Sequence, residues 1–137
     1  MKYLLDVNAL IAFGVTQHQF HKRVVDWIHA QQGATFLTSS LTEIGFVRIV
    51  ASVPIYDLNV AQARNLLLAL KENTDLPLGF LADGNDISQL PVWVINPRQT
   101  TDGHLLQLAT AHEAVLATLD EGIPGALPIP GTVVSEQ

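Results

Sequence analysis

The chain has 137 residues, 48% of them apolar and 15% charged, with thirteen Asp and Glu against seven Lys and Arg. One compact domain with an ordinary hydrophobic core suits this length, at which folding buries roughly two-thirds of the surface the unfolded chain exposes. The absence of cysteine excludes a disulfide scaffold and a thiolate zinc site, and the net charge of −6 excludes nucleic-acid binding through a broad basic surface.

Met1-Lys2-Tyr3-Leu4-Leu5 begins like an export signal, but Asp6 and Asn8 interrupt the apolar stretch after three residues. No uncharged run approaches the roughly 20 apolar residues of a bilayer-spanning helix. The expectation is a soluble, cytoplasmic protein with one domain over residues 1–132 and a polar tail over 133–137.

Tyr3-Leu4-Leu5 predicts a strand ending at Asp6, and Asn8 to Phe13 a short helix stopped by Gly14. Between Gln17 and Gln32, Phe20, Val24, Trp27, Ile28 and Gln31 share one helical face, and Gly33 closes the helix. Thr35 to Thr38 is β-branched and aromatic and predicts a buried strand. Ser39 or Ser40 then caps a helix through Glu43, Phe46, Val47 and Val50, ended by Pro54. Asn59 caps the next, with Val60, Ala63, Leu67 and Leu70 as its core stripe. Residues 72–91, rich in Pro, Gly, Asn and Asp, read as loop, and Val92-Trp93-Val94-Ile95 as a further buried strand. Thr100 or Thr101 caps a helix carrying Leu105, Leu106, Leu108 and Ala109. Val115 to Leu119 is a strand stopped by Asp120-Glu121-Gly122, and the proline-rich end is an edge segment. Short apolar strands alternating with helices predict an α/β fold with a mostly parallel central sheet covered on both faces.

In such sheets the functional crevice lies beyond the carboxyl ends of the strands. Asp6 ends the first strand, Glu43 lies early in the helix after the second, Asp102 opens a helix and Asp120 follows the strand from Val115. A parallel sheet brings these four carboxylates to one edge. Leu105, Leu106 and Ala109 lie within about 60° of Asp102 around its helix axis, so Asp102 heads the buried stripe. Each acid alone also has a structural explanation: a cap for Asp6, the helix dipole for Asp102, a turn for Asp120 and a capping box with Ser40 for Glu43. Together they form a cluster in which two carboxylates ~4 Å apart repel by roughly 4 kcal/mol at an effective dielectric of ~20. No Lys or Arg adjoins the four segments closely enough in sequence to be an evident partner. A hard oxygen donor set selects Mg²⁺ or Mn²⁺, and phosphodiester hydrolysis follows as the reaction class.

Leu4-Leu5-Asp6-Val7-Asn8, Ser39 to Arg48 with Glu43, Thr101-Asp102-Gly103-His104-Leu105-Leu106-Gln107-Leu108-Ala109 and Leu116-Ala117-Thr118-Leu119-Asp120 resemble, in order, the signature segments of PIN-domain ribonucleases, and most closely those of VapC-type toxins of toxin–antitoxin modules. The likeness covers nearly the whole chain. It implies a three-layer α/β/α PIN-like fold and Mg²⁺- or Mn²⁺-dependent cleavage of RNA. It further implies that Asp6 and Asp102 are the principal metal ligands, that Asp120 completes the site and that Glu43 binds metal or orients the attacking water. Asn8 and Thr118 match polar positions that buttress the acids. The resemblance also implies a homodimer silenced by a cognate antitoxin protein whose tail enters the acidic groove. Where many relatives carry a basic residue after the last acid, this chain has Glu121, which removes a phosphate contact.

His18, His21, His29, His104 and His112 lack zinc-ligand spacing, and Asp83-Gly84-Asn85-Asp86 lacks the glutamate that would complete a calcium loop and reads as a turn. Two other functions remain open at this level. Asp6 is positioned as the nucleophile of an aspartyl-phosphate phosphotransferase, although Asn8 stands where such enzymes place a second acid. A non-catalytic PIN-like module that binds metal and a partner is the other. Setting aside the four acids leaves nine against seven bases, so most of the excess negative charge belongs to the proposed site. Arg23, Arg48, Arg64, Arg98, Lys22 and Lys71 are the bases left to hold an RNA backbone.

Overall fold

Tyr3, Leu4 and Leu5 are all buried, and they divide between two cores. In the computed structural model, which describes residues 1–131, they lie in β1 (Lys2–Leu5), the central strand of a five-stranded sheet. The expected tail from residue 133 lies outside the described residues. The other strands are β2 (Thr35–Ser39), β3 (Leu78–Leu81), β4 (Val115–Thr118) and β5 (Leu127–Pro128). All pairings are parallel, in the order β3-β2-β1-β4-β5.

Side chains alternate across a strand, so a strand buried on both faces needs apolar residues at successive positions. Tyr3, Leu5, Phe36 and Ala117 point into one core, where they meet α1 (Val7–Gly14), α2 (His21–Ala30), α3 (Ser40–Ser52) and α4 (Val60–Lys71) through residues such as Leu10, Trp27, Phe46 and Leu67. Leu4, Leu37, Leu81 and Leu116 point into a smaller core closed by Leu105, Leu108 and Ala109 of α5 (Thr100–Ala111). Trp27 sits edge-on to Tyr3 and Phe36, a core role as its spacing suggested. This is the three-layer α/β/α arrangement. Each large side chain taken fully out of water, Phe36, Phe46 and Leu116 among them, contributes roughly 1.5–3 kcal/mol to holding the layers together. Among the described residues no helix is long and apolar enough to cross a membrane.

Two elements differ from the sequence reading. The strand at residues 78–81 falls inside the stretch read as loop: Pro77 and Gly79 suggest a turn, yet β3 is an edge strand and Pro77 precedes its first residue. Gly79 leaves room for its neighbour, since a Cβ there would lie 2.8 Å from Leu37 Cδ2 and displace that leucine's end. Conversely, Val92 to Ile95 is not a strand. Val92 is 97% and Ile95 88% exposed, while Trp93 packs on the smaller core and Val94 lies against Gly103 of α5. A segment with one wet side and one side laid on a helix shows the same apolar run as a strand buried twice.

Candidate active site

β1 lies between β2 and β4, and the chain visits β2 and β3 on one side before returning to β4 on the other. That reversal opens a crevice at the carboxyl end of β1. Asp6 is the first residue beyond the strand. Its amide extends the ladder by donating to Ala117 O at 3.1 Å, and its side chain caps α1, Oδ1 accepting from the Ala9 amide at 2.8 Å. The cap is therefore real, and it also fixes the carboxylate at the crevice.

Thr118, at the end of β4, links two of the acids. Its hydroxyl donates to Asp6 Oδ2 at 2.5 Å and accepts from the Asp120 amide at 2.9 Å. Asp120 Oδ1 in turn accepts from the Gly122 amide at 2.8 Å, which shapes the turn that carries it. Asp102 enters from the first turn of α5 and shares the wall of a depression of about 350 Å³ with Asp120. Burial pushes the Asp6 carboxyl up to about 6; hydrogen bonds from Thr118 and Ala9 oppose this, and the charges of Asp102 and Asp120 add to it. Burial also raises Asp102, with the charge of Asp120 as the second cause. Three acids thus sense one another across a shared space.

Glu43 stands differently. It accepts a hydrogen bond from the Thr38 hydroxyl at 2.5 Å, and Lys71 Nζ lies 2.5 Å from the same Oε2. Its charge is neutralised by a base 28 residues away, which corrects the expectation of four acids without a basic partner. The capping box also differs from the expected one: Ser39 and Thr42 form it, which leaves the Glu43 side chain for Lys71.

Asn8 is exposed and borders a second depression, about 400 Å³, with His18, Phe20 and Asp120. Asp120 therefore stands where the two depressions meet. The bases are sorted equally sharply. Lys22 pairs with Asp26, Arg23 donates to Ile129 O, and Lys71 is held by Glu43 and lies over the Phe80 ring. Arg98 is the base that lines the acidic depression, beside Trp93, Asn96 and Gln99. In the sequence Arg98 stands out as a candidate base and Trp93 as core, while neither amide stands out. The cap-forming Asn96-Pro97 pair was the available signal.

One of the two other functions loses ground. Asp6 is 5% exposed with both carboxylate oxygens bonded, a poor nucleophile for phosphoryl transfer. Asp83 to Asp86 forms the expected turn, with Asp83 and Asp86 accepting amides two residues on and His104 bonding to Asp83. Among the described residues no three His, Cys, Asp or Glu are grouped closely enough to hold a metal ion as they stand.

A parallel sheet with an acid at the end of its central strand, a second just past the neighbouring strand and a third heading the opposing helix is the arrangement that the resemblance to PIN domains implies. No protein-family model matches the chain. Ribonuclease VapC38 of Mycobacterium tuberculosis is 37% identical over 129 residues, 88% of this chain and 86% of that protein. Ribonuclease VapC44 of the same organism is 34% identical over 138 residues, 92% of this chain and 94% of that protein. Among solved structures, VapBC2 from Rickettsia felis, bound to a DNA fragment from its promoter, superimposes with a TM-score of 0.60 at 14% identity over 93% of this chain and 97% of that one. The sarcin–ricin-loop-cleaving toxin VapC20 of M. tuberculosis does so with 0.62 at 9% identity over 88% and 92%. At such identities the structures speak for the fold alone. The sequence relatives speak for more: the chain belongs to the VapC family of PIN-domain ribonucleases.

Proposed function

We propose that this protein is a divalent-metal-dependent endoribonuclease that hydrolyses phosphodiester bonds of RNA and acts as the toxin of a toxin–antitoxin module. The observation that carries this reading is the convergence of Asp6, Asp102 and Asp120, whose mutual repulsion has no basic partner among the side chains bonded to them. Such a set is stable when ionised only beside a cation, and its donors are all hard oxygens, which suit Mg²⁺ or Mn²⁺. Asp6, Asp102 and Asp120 would hold the ion. When bound, the ion acidifies a water and offsets charge on the phosphoryl oxygens.

The chain's own groups complete the work. Thr118 holds Asp6 and the backbone of Asp120 in one register. Glu43, fixed by Thr38 and Lys71, takes a positioning role toward water or ion, and Asn8 borders the groove from the first turn of α1. An acidic groove suits the basic tail of a cognate antitoxin, in line with the VapBC2 relative. Exposed Ile44, Leu68 and Phe80 support a homodimer or antitoxin contact, and the cytoplasm is the compartment where RNA is met.

The test is incubation of purified protein with structured RNAs in Mg²⁺ or Mn²⁺, in EDTA, and with Asp6→Asn and Asp102→Asn combined. Cutting that needs the ion and vanishes in the double variant is expected. Undiminished cutting by the double variant would overturn the reading. Metal binding without turnover on any RNA would favour the non-catalytic module.

A further inference from the structure

The acidic depression has a second wall whose chemistry the cleavage step does not use. It is formed by Trp93, Asn96, Arg98 and Gln99, facing Asp102 and Asp120. Asn96 and Gln99 bracket a 3₁₀ turn (Pro97–Gln99), in which side chains three apart eclipse one another. Each amide is oriented by the backbone. Asn96 Oδ1 accepts from the Arg98 amide at 3.0 Å, and Gln99 Oε1 accepts from the Ile95 and Asn96 amides at 2.9 and 3.1 Å. A backbone N–H can only donate, so each side-chain oxygen is turned to the backbone, with both lone pairs of Gln99 Oε1 and one of Asn96 Oδ1 engaged, and both NH₂ groups are left. Among the described residues neither NH₂ has an acceptor. Trp93 is half-buried on the smaller core, which fixes an aromatic ring in the same wall, and Arg98 adds a guanidinium without a carboxylate partner among the described residues.

We infer that this wall is a base-specificity subsite that receives a nucleotide next to the scissile phosphate and selects guanine over adenine. The inference rests on the RNA-cleaving reading above. Aromatic rings accept any base by stacking, so Trp93 supplies affinity without choice. The choice comes from the amides. Fixed donors match the adjacent O6 and N7 acceptors of guanine, whereas the exocyclic amine of adenine meets the Gln99 NH₂ donor against donor, the Gln99 oxygen having no lone pair left to accept it. Arg98 adds a further donor and a charge for the adjoining phosphate. A space of about 350 Å³ accommodates one nucleotide.

The same geometry supplies a clean test. Asn96→Asp and Gln99→Glu keep the oxygens that cap the turn and replace each NH₂ with an acceptor, so the fold stays while the readout inverts. RNA randomised around a central segment is cut with the wild type and with each variant, and the bases flanking the cuts are counted. The wild type is expected to favour guanine over adenine at one flanking position by about tenfold. The variants, Gln99→Glu above all, should shift that ratio toward adenine, whatever their overall rate. Cutting without a guanine bias, or with a bias that both variants leave unchanged, would overturn the inference. In parallel, the side-chain NH₂ signals of Asn96 and Gln99, or the one that remains in each variant, are followed by NMR as guanosine or adenosine monophosphate is added. Tighter binding of the guanosine nucleotide, lost in the variants, supports the subsite, and equal binding overturns it. Absence of any RNA cutting would remove the catalytic reading, while this titration still decides the subsite.

Discussion

Asp6→Asn is expected to destroy the activity and stabilise the metal-free fold. The wild-type carboxyl, 5% exposed, is pushed by burial from its ordinary 3.8 up to about 6, with Asp102 and Asp120 adding to the rise. At ~1.4 kcal/mol per pH unit this amounts to about 3 kcal/mol. The sign follows from proton occupancy. Below 3.8 both folded and unfolded chains hold the proton and nothing is lost. Between 3.8 and about 6 the folded chain keeps a proton that the unfolded chain has released, so stability falls as pH rises. Above about 6 the folded chain bears the whole penalty. Asparagine escapes it: its oxygen still caps Ala9, and its NH₂ donates to the Thr118 oxygen, whose own proton turns away. Rearranging that hydroxyl returns about 1 kcal/mol. At about 2–4 °C per kcal/mol for a chain of this size, the remaining ~2 kcal/mol should make Asp6→Asn melt roughly 4–8 °C above the wild type at pH 8 in EDTA. By pH 4.5 the penalty falls to about 1 kcal/mol, and the gap should all but vanish. Circular-dichroism melts at the two pH values read both numbers. A variant less stable than wild type at pH 8, or a gap independent of pH, would refute the reasoning.

The other expectations probe different links. Thr118→Val removes the donor to Asp6 and the acceptor for the Asp120 amide; it should cost about 1–3 kcal/mol in a urea melt and move the acid limb of ion binding to higher pH, because one of the contacts that lowers the Asp6 pKa is gone. Gly103→Ala places a methyl group against Val94; about 1 kcal/mol of gained helix propensity offsets part of a packing cost of roughly 1–3 kcal/mol, and RNA cutting should fall more than the melting temperature does, since Gly103 adjoins Asp102. Glu113, at φ 55° just past α5, is in the left-handed region that glycine tolerates best; Glu113→Gly should raise the melting temperature by roughly 2–4 °C with cutting unchanged.

Strand-end acids were legible because a parallel sheet converts position along the chain into position in space: Asp6 and Asp120 follow strands that pair directly. Asp102 was legible from helical spacing over a single turn. The base that neutralises Glu43 was not, because Lys71 comes from the end of α4 and meets Glu43 only once that helix packs beside α3. The same limit hid the second wall of the groove. Trp93 and Val94 carry the apolar pattern of a strand, and only the fold shows that they are laid on the smaller core and α5 while Val92 and Ile95 face water. β3 was lost for the opposite reason, since its Gly79 and preceding Pro77 are local turn signals that an edge strand tolerates. The charge count survives in altered form: the acids concentrate at the crevice, while of the bases Arg98 alone, among the described residues, lines the acidic depression.

The central claim is that Asp6, Asp102 and Asp120 together form a site for a divalent cation, and calorimetric titration of the purified protein with Mn²⁺ tests it most directly. Binding at pH 8 that weakens steeply below about pH 6, where Asp6 takes up its proton, and that falls at least tenfold in each of Asp6→Asn, Asp102→Asn and Asp120→Asn, is the predicted result. Binding that is insensitive to all three substitutions, or that persists unchanged at pH 5, would contradict it.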